Sequence, residues 1–194
     1  MATITRDSLL TLEDYAKARD EIRRAAIAQK NKRKVFVGDN VLLQFEDEQT
    51  IRYQIQEMLH AEKTFDQQGI IDELEAYNPL VPDGRNWKAT QMIEFPDVEQ
   101  RKQKLVELRG IERHTYVQVG DGERVYAIAD EDMPRETEEK TSAIHFMRFE
   151  LSDAMIAAAK AGEPIAVGID HPAYRVHIDE IAPQTQASLV EDLR

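Results

Sequence analysis

Apolar residues recur at helical spacing through Leu12, Tyr15, Ala16, Ile22, Ala25 and Ala26, which predicts a long first helix. Thr11 precedes that run as an N-cap with Asp14 in the first turn, and the helix ends in the basic stretch Lys30 to Lys34, where cations suit the dipole. Two short β-type segments follow, Lys34–Val37 and Val41–Phe45. Gly38-Asp39-Asn40 joins them as a hairpin signal. A second helix is read over Asp47–Lys63, with Ile51, Ile55, Met58, Leu59 and Glu62 along one face. A third covers Gln67–Tyr77 and stops at Asn78-Pro79, before a loop at Leu80–Asn86.

From Trp87 the period changes to two. Trp87, Ala89, Ile93 and Phe95 share one face of a strand, and Lys88, Thr90, Met92 and Glu94 share the other. Pro96 suits a first helical position, and Asp97–Arg109 is helical with Gly110 as its stop. Strands are then expected at Thr115–Val119 and Arg124–Ala129, flanking Gly120-Asp121-Gly122, and at Ala143–Leu151. A short helix over Ser152–Ala161, closed by Gly162, precedes strands at Pro164–Ile169 and Tyr174–Ile181 and a terminal helix or tail. Helices lead and hairpin-joined strands follow. That order predicts an α+β fold in which N-terminal helices pack on an antiparallel, partly closed β-sheet. The expectation is one domain over residues 1–194, helix-rich over 1–110 and strand-rich over 111–194.

Composition narrows the chemistry. With 25 Lys and Arg against 37 Asp and Glu, the formal charge is −12, which argues against a nucleic-acid partner or an anionic membrane surface. There is no cysteine, which excludes disulfides, thiolate nucleophiles, iron–sulfur ligation and zinc–thiolate sites. No apolar run approaches the roughly 20 residues of a membrane helix. The start of the chain lacks the basic-then-apolar order of a signal peptide, so a cytoplasmic address is expected.

Several residues carry candidate chemistry. Glu57 and His60 form an E-x-x-H pair that one metal can bridge, but a two-metal bundle needs two such pairs, and a solvated face is the default. His145 shares its strand face with Met147, Phe149 and Leu151, so it must find a hydrogen-bond partner or a ligand. His177 lies on the polar face of its strand. His171, in Gly168-Ile169-Asp170-His171-Pro172, is held extended by Pro172 and has Asp170 beside it. His145, His171 and Asp170, with Glu136, Glu138 or Glu139, make a candidate nitrogen–oxygen metal site for Fe, Zn or Mn; satisfied histidines and a turn explain the same residues. Arg148 and Glu150 share the opposite strand face and pair with each other, or Glu150 pairs with Lys140 and Arg135, or Arg148 holds an anion. Trp87 belongs to the core or to the lip of a pocket. Trp87, Lys88, Arg135, Glu136, Glu138, Lys140 and Arg148 are thus the ligand-binding candidates. Glycine-rich phosphate loops, dinucleotide fingerprints and nucleophile elbows are absent from the sequence.

The phrases YQIQEMLHAEKTF, NPLVPDGRNWKATQMIEFPDVEQR, YAIADEDMPRETEEKTSAIHFMRFEL and GIDHPAY resemble an uncharacterised bacterial family, domain of unknown function thirty-five-oh-one, over nearly the whole chain. That resemblance implies a gene context of rubrerythrin and an iron–sulfur or flavin-linked oxidoreductase. The leading expectation is therefore an accessory or binding protein serving a redox or peroxide-handling partner. The alternative is a metal-binding protein or metalloenzyme using His145 and His171. A third reading is a small-molecule sensor pocket under the loop Ala129–Lys140.

Overall fold

The computed structural model describes residues 4–194. These form six α-helices and nine strands. Helix α1 (Leu12–Lys32) begins where Thr11 accepts the Asp14 N–H, as its sequence requires. Strands β1 (Lys34–Phe36) and β2 (Val41–Glu46) form the expected hairpin, with Gly38 at φ 75° in the turn. Helix α2 (Glu48–Glu62) is opened by Asp47 and α3 (Gln67–Tyr77) by Asp66. Strand β3 (Asn86–Ile93) precedes α4 (Val98–Glu107), β4 (Thr115–Val119), β5 (Val125–Tyr126), β6 (Ile128–Ala129) and β7 (Ile144–Glu150). Helix α5 (Asp153–Lys160), β8 (Ile165–His171), β9 (Tyr174–Ile178) and α6 (Pro183–Val190) complete the chain.

The fold is α+β, and every strand pair is antiparallel. In place of one partly closed sheet, the strands divide into two open sheets, ordered β1-β2-β3-β7-β6 and β5-β4-β8-β9. The division falls inside the segment expected as one strand at Arg124–Ala129. Val125 pairs with Val117 in the second sheet, whereas Ile128 pairs with Arg148 in the first. The two sheets share one apolar core, which takes Leu43, Phe45, Trp87, Met147 and Phe149 from the first and Val117, Ile165 and Val167 from the second.

Helices α2 and α3 make a separate apolar cluster around Ile51, Ile55 and Leu59, and they cover the outward face of the first sheet. On α1 the expected apolar face is thinner, since Tyr15 and Ala26 are buried while Ala16 and Ala25 are exposed. Pro96 stands one residue before the N-cap Asp97 and is not the first helical residue. Among the described residues no helix is long and apolar enough to cross a membrane.

The basic run at the end of α1 hides a buried hub. Lys30 and Lys32 occupy the last turn as the dipole argument expects, but Arg33 is 1% exposed. Its guanidinium donates to the carbonyls of Phe45 (3.2 Å), Glu46 (3.0 Å) and Ser188 (2.9 Å) and pairs with Asp192. One side chain thereby ties α1, β2 and α6 together.

Candidate functional site

The segment 130–143 leaves the first sheet after β6 and returns to it as β7. His145 closes its base. The Nδ1–H donates to Asp130 Oδ2 at 2.6 Å, and Nε2 lies 2.8 Å from Thr141 Oγ1 and 3.1 Å from the Ser142 carbonyl. Asp130 also accepts the Phe146 N–H at 3.1 Å and donates its own N–H to the Phe146 carbonyl at 2.8 Å. It does so at φ 53°, a left-handed conformation that Asp tolerates better than most residues. Asp130, His145 and Thr141 stand in the order of a hydrolase triad. Thr141 is only 2% exposed, so no substrate reaches its hydroxyl, and the trio acts as a clamp on the loop.

His171 is equally occupied. Its Nδ1 accepts the Ala173 N–H at 3.2 Å and its Nε2–H donates to the Arg109 carbonyl at 3.1 Å. Asp170 turns away from His171 and binds the His114 ring at 3.1 Å and the Tyr126 hydroxyl at 2.5 Å. Among the described residues no three His, Asp or Glu side chains are grouped to hold a metal ion, so the structure does not bring His145, His171 and Asp170 into one coordination set. Glu57 and His60 face α1 instead of solvent. Glu57 takes Arg19 through two bonds of 2.8 and 2.9 Å and Tyr15 through one of 2.5 Å, and His60 meets the Tyr15 ring edge-on.

Two hollows flank the clamped loop. The larger, about 690 Å³, is walled by Arg109, Arg113 and Glu136, among others. Its charges already answer one another: Arg109 and Arg113 both pair with Glu136, and Arg113 also reaches Glu112. Glu138 contributes its carbonyl to Arg109, and the Lys140 carbonyl accepts from Thr137, while the Lys140 side chain is exposed.

The smaller hollow, about 460 Å³, lies between α3 and the outward faces of β3 and β7. Strand alternation sends Lys88, Phe146 and Arg148 into it, just as it sends Trp87 inward, where the indole N–H donates to the Leu189 carbonyl at 2.9 Å. Tyr77, Leu80 and Met58 supply apolar wall from the helices. Arg135 lies over the Phe146 ring at 4.5 Å and is neutralised by Asp132. Arg148 grips Glu131 through two bonds, 2.9 and 2.8 Å, and Glu150 through one of 2.6 Å. That pairing holds Glu131 below the ordinary carboxylate range.

Among the cations of the cleft Lys88 is the exception. It is half-buried, and its ammonium makes neither hydrogen bond nor ion pair with any described residue. Its cross-strand neighbours are Glu46 on β2 and Arg148 on β7, but the Glu46 carboxylate is taken by the Thr50 and Thr90 hydroxyls at 2.6 and 2.9 Å. Burial, helped by the Arg148 charge, holds the Lys88 ammonium below the ordinary lysine range. Glu73 on α3 also lines the cleft without an ion-pair partner among the described residues, and burial, with Glu62 and Asp72 nearby, holds its carboxyl above the ordinary range. A cavity with aromatic and aliphatic walls and a few unanswered polar groups is the usual form of a small-ligand site. The larger hollow lacks both features.

Fold and cleft together define an α+β protein with two open antiparallel sheets and a lysine-bearing cleft between sheet and helices. The chain belongs to the family described as protein of unknown function (DUF3501), which matches residues 3–193. It is similar to a crystal structure described as a novel protein of unknown function from Burkholderia pseudomallei, at 56% identity and a TM-score of 0.94 over 99% of this chain and 100% of that one. No curated protein is similar to it in sequence.

Proposed function

We propose that the protein binds a small organic anion with an apolar body in the cleft between α3 and strands β3 and β7. The observation that carries this reading is Lys88, a half-buried cation without a partner at the base of a cleft walled by Tyr77, Leu80 and Phe146. An ammonium in that position gains more from a ligand anion than an exposed lysine does, because the surrounding walls exclude water. Glu131 and Asp132 at the rim do not repel the anion strongly, since Arg148 and Arg135 already pair with them, and Glu73 on the helix wall is the acid whose burial favours its neutral form. The role beside a redox partner implied by the family resemblance is compatible with a ligand-binding protein and is supported by that resemblance alone.

The test is thermal stabilisation by a panel of aromatic and medium-chain carboxylates, with the matching alcohols as controls. Stabilisation by the acids and not by the alcohols, lost in Lys88→Met, is the expected result. Equal stabilisation of wild type and Lys88→Met, or of neither by any acid, overturns the reading.

A further inference from the structure

We propose that Lys88 forms a reversible imine with a carbonyl compound in this cleft, and that the ligand class is a 2-oxo acid with an apolar side chain. This rests on the cleft reading above and adds a covalent step to it.

The placement is what an amine nucleophile needs. Lys88 lies on a strand with hydrogen-bonded neighbours on both sides, so its backbone is fixed, and no described carboxylate holds its nitrogen. Arg148, the adjacent cation in register, stays charged through Glu131 and Glu150, and it disfavours a second positive charge beside it. Lysines that act as nucleophiles are made so by these two means, an apolar surround and a cationic neighbour. Met58, Tyr77 and Phe146 supply the first and Arg148 the second. The lowered ammonium range of Lys88 agrees with that geometry.

The step balances without an oxidant or reductant. The lone pair of the neutral Nζ attacks the carbonyl carbon, and a C–N bond forms as the carbonyl π pair moves to oxygen. That oxygen takes one proton that leaves the nitrogen. The carbinolamine then loses its oxygen as water, carrying away the second proton from nitrogen, and the C=N bond remains. Protonation of this imine restores the positive charge next to the carboxylate of a 2-oxo acid. A 2-oxo acid therefore suits both the covalent step and the need for an anion. Arg148 spends Nε, Nη1 and Nη2 donors on its two carboxylates and keeps a second N–H on each terminal nitrogen for the ligand.

The experiment uses the full chain with phenylpyruvate as probe and borohydride to reduce any imine to a stable secondary amine, read by peptide mass spectrometry. Label that sets in on the peptide containing Lys88 at lower pH than on the peptides of exposed Lys17 and Lys102, and that is absent from that position in Lys88→Met, is the expected result. Label spread evenly over the exposed lysines overturns the proposal. In parallel, 3-phenylpropanoate, which has no ketone, is tested for stabilisation. If it protects the wild type while phenylpyruvate traps nothing on Lys88, the imine fails and the binding reading stands. If neither compound acts, both fail. Lys88→Arg, which keeps the charge but cannot form the imine, should retain stabilisation by 3-phenylpropanoate and lose the label. Loss of stabilisation as well in that variant, despite a wild-type melting temperature, would show that a positive charge at position 88 is not what holds the anion and overturn the binding reading.

Discussion

His145 Nδ1 stands 2.6 Å from Asp130 Oδ2, and this contact joins the two ends of the charged loop that separates the hollows. His145 follows Asp130 by fifteen positions along the chain. Closing such a loop costs entropy, and here one buried ring recovers part of it by engaging Asp130 at the loop's start and Thr141 and Ser142 at its end. The same contact sets Phe146 through the Asp130 backbone and side chain, and Phe146 is wall to the Lys88 cleft. The histidine read from the sequence as a metal candidate thus shapes the candidate site from behind.

Removing the ring leaves the Asp130 carboxylate, 10% exposed, without its main partner. Asp130 keeps Arg135 and the Phe146 N–H, so His145→Ala should cost about 2 kcal/mol, the scale for leaving buried polar groups short of a hydrogen bond. Urea denaturation reads that loss, and trypsin cleavage after Arg135 or Lys140 should accelerate. Asp130→Asn should be milder than Asp130→Ala, because Asn tolerates positive φ and can still accept the Phe146 N–H. An Ala variant as stable as the Asn variant would contradict this account of Asp130.

Glu57 supplies an acid-labile bond between α1 and α2. The Arg19 guanidinium, with the Tyr15 hydroxyl, brings its carboxyl down from 4.5 to about 2. A carboxyl depressed in the folded state adds stability that is complete above its ordinary value and is lost as pH falls through the folded one. The stability gap between wild type and Glu57→Gln should therefore be constant at neutral pH and narrow between pH 4.5 and about 2. Urea midpoints across that range measure it. A gap that stays constant down to pH 2 would show that the carboxylate charge is not what holds the two helices.

Much of this arrangement was legible in sequence. The limits of α3 and β4 follow from caps, turns and spacing, and strand parity sends Trp87 and His145 inward and Lys88 and Arg148 outward together. What escaped were partners distant along the chain. Arg33 sits in a basic run that reads as a helix end, and only the docking of α6, whose Ser188 is 155 positions away, explains its burial. The polar face of α2 reads as solvated because single-helix periodicity cannot register a second helix, and α1 supplies Arg19 and Tyr15 to it. Asp130 looked like one more acid in a charged loop. The two-sheet split at Ala127 left no mark, since both halves are β-formers of the same pattern.

The Arg33 hub makes a strong demand on charge and shape together. Arg33→Met keeps the length but strands Asp192 and the carbonyls of Phe45, Glu46 and Ser188. A loss of about 3 to 5 kcal/mol is expected in equilibrium denaturation. Arg33→Lys should rescue little, because an ammonium cannot reach three carbonyls and a carboxylate from one planar fork. Full rescue by lysine would mean that charge alone matters at this position.

Lys88 gives a pH dependence of the same sense at the alkaline end. Burial and Arg148 hold its ammonium below the ordinary 10.5, so between the folded and unfolded values the unfolded chain binds the extra proton. Stability then rises with pH through that window, and Lys88→Met should lack this rise. Arg148→Met removes the neighbouring cation but also frees Glu131, which is held low by that guanidinium. Both changes favour the lysine cation, so the variant should move Lys88 back toward 10.5 and flatten the alkaline rise. Heteronuclear NMR of the Lys88 side chain, followed through the titration in wild type and in Arg148→Met, reads the shift directly. A lysine that titrates identically in both proteins would leave burial as the sole cause and remove Arg148 from the account of its reactivity.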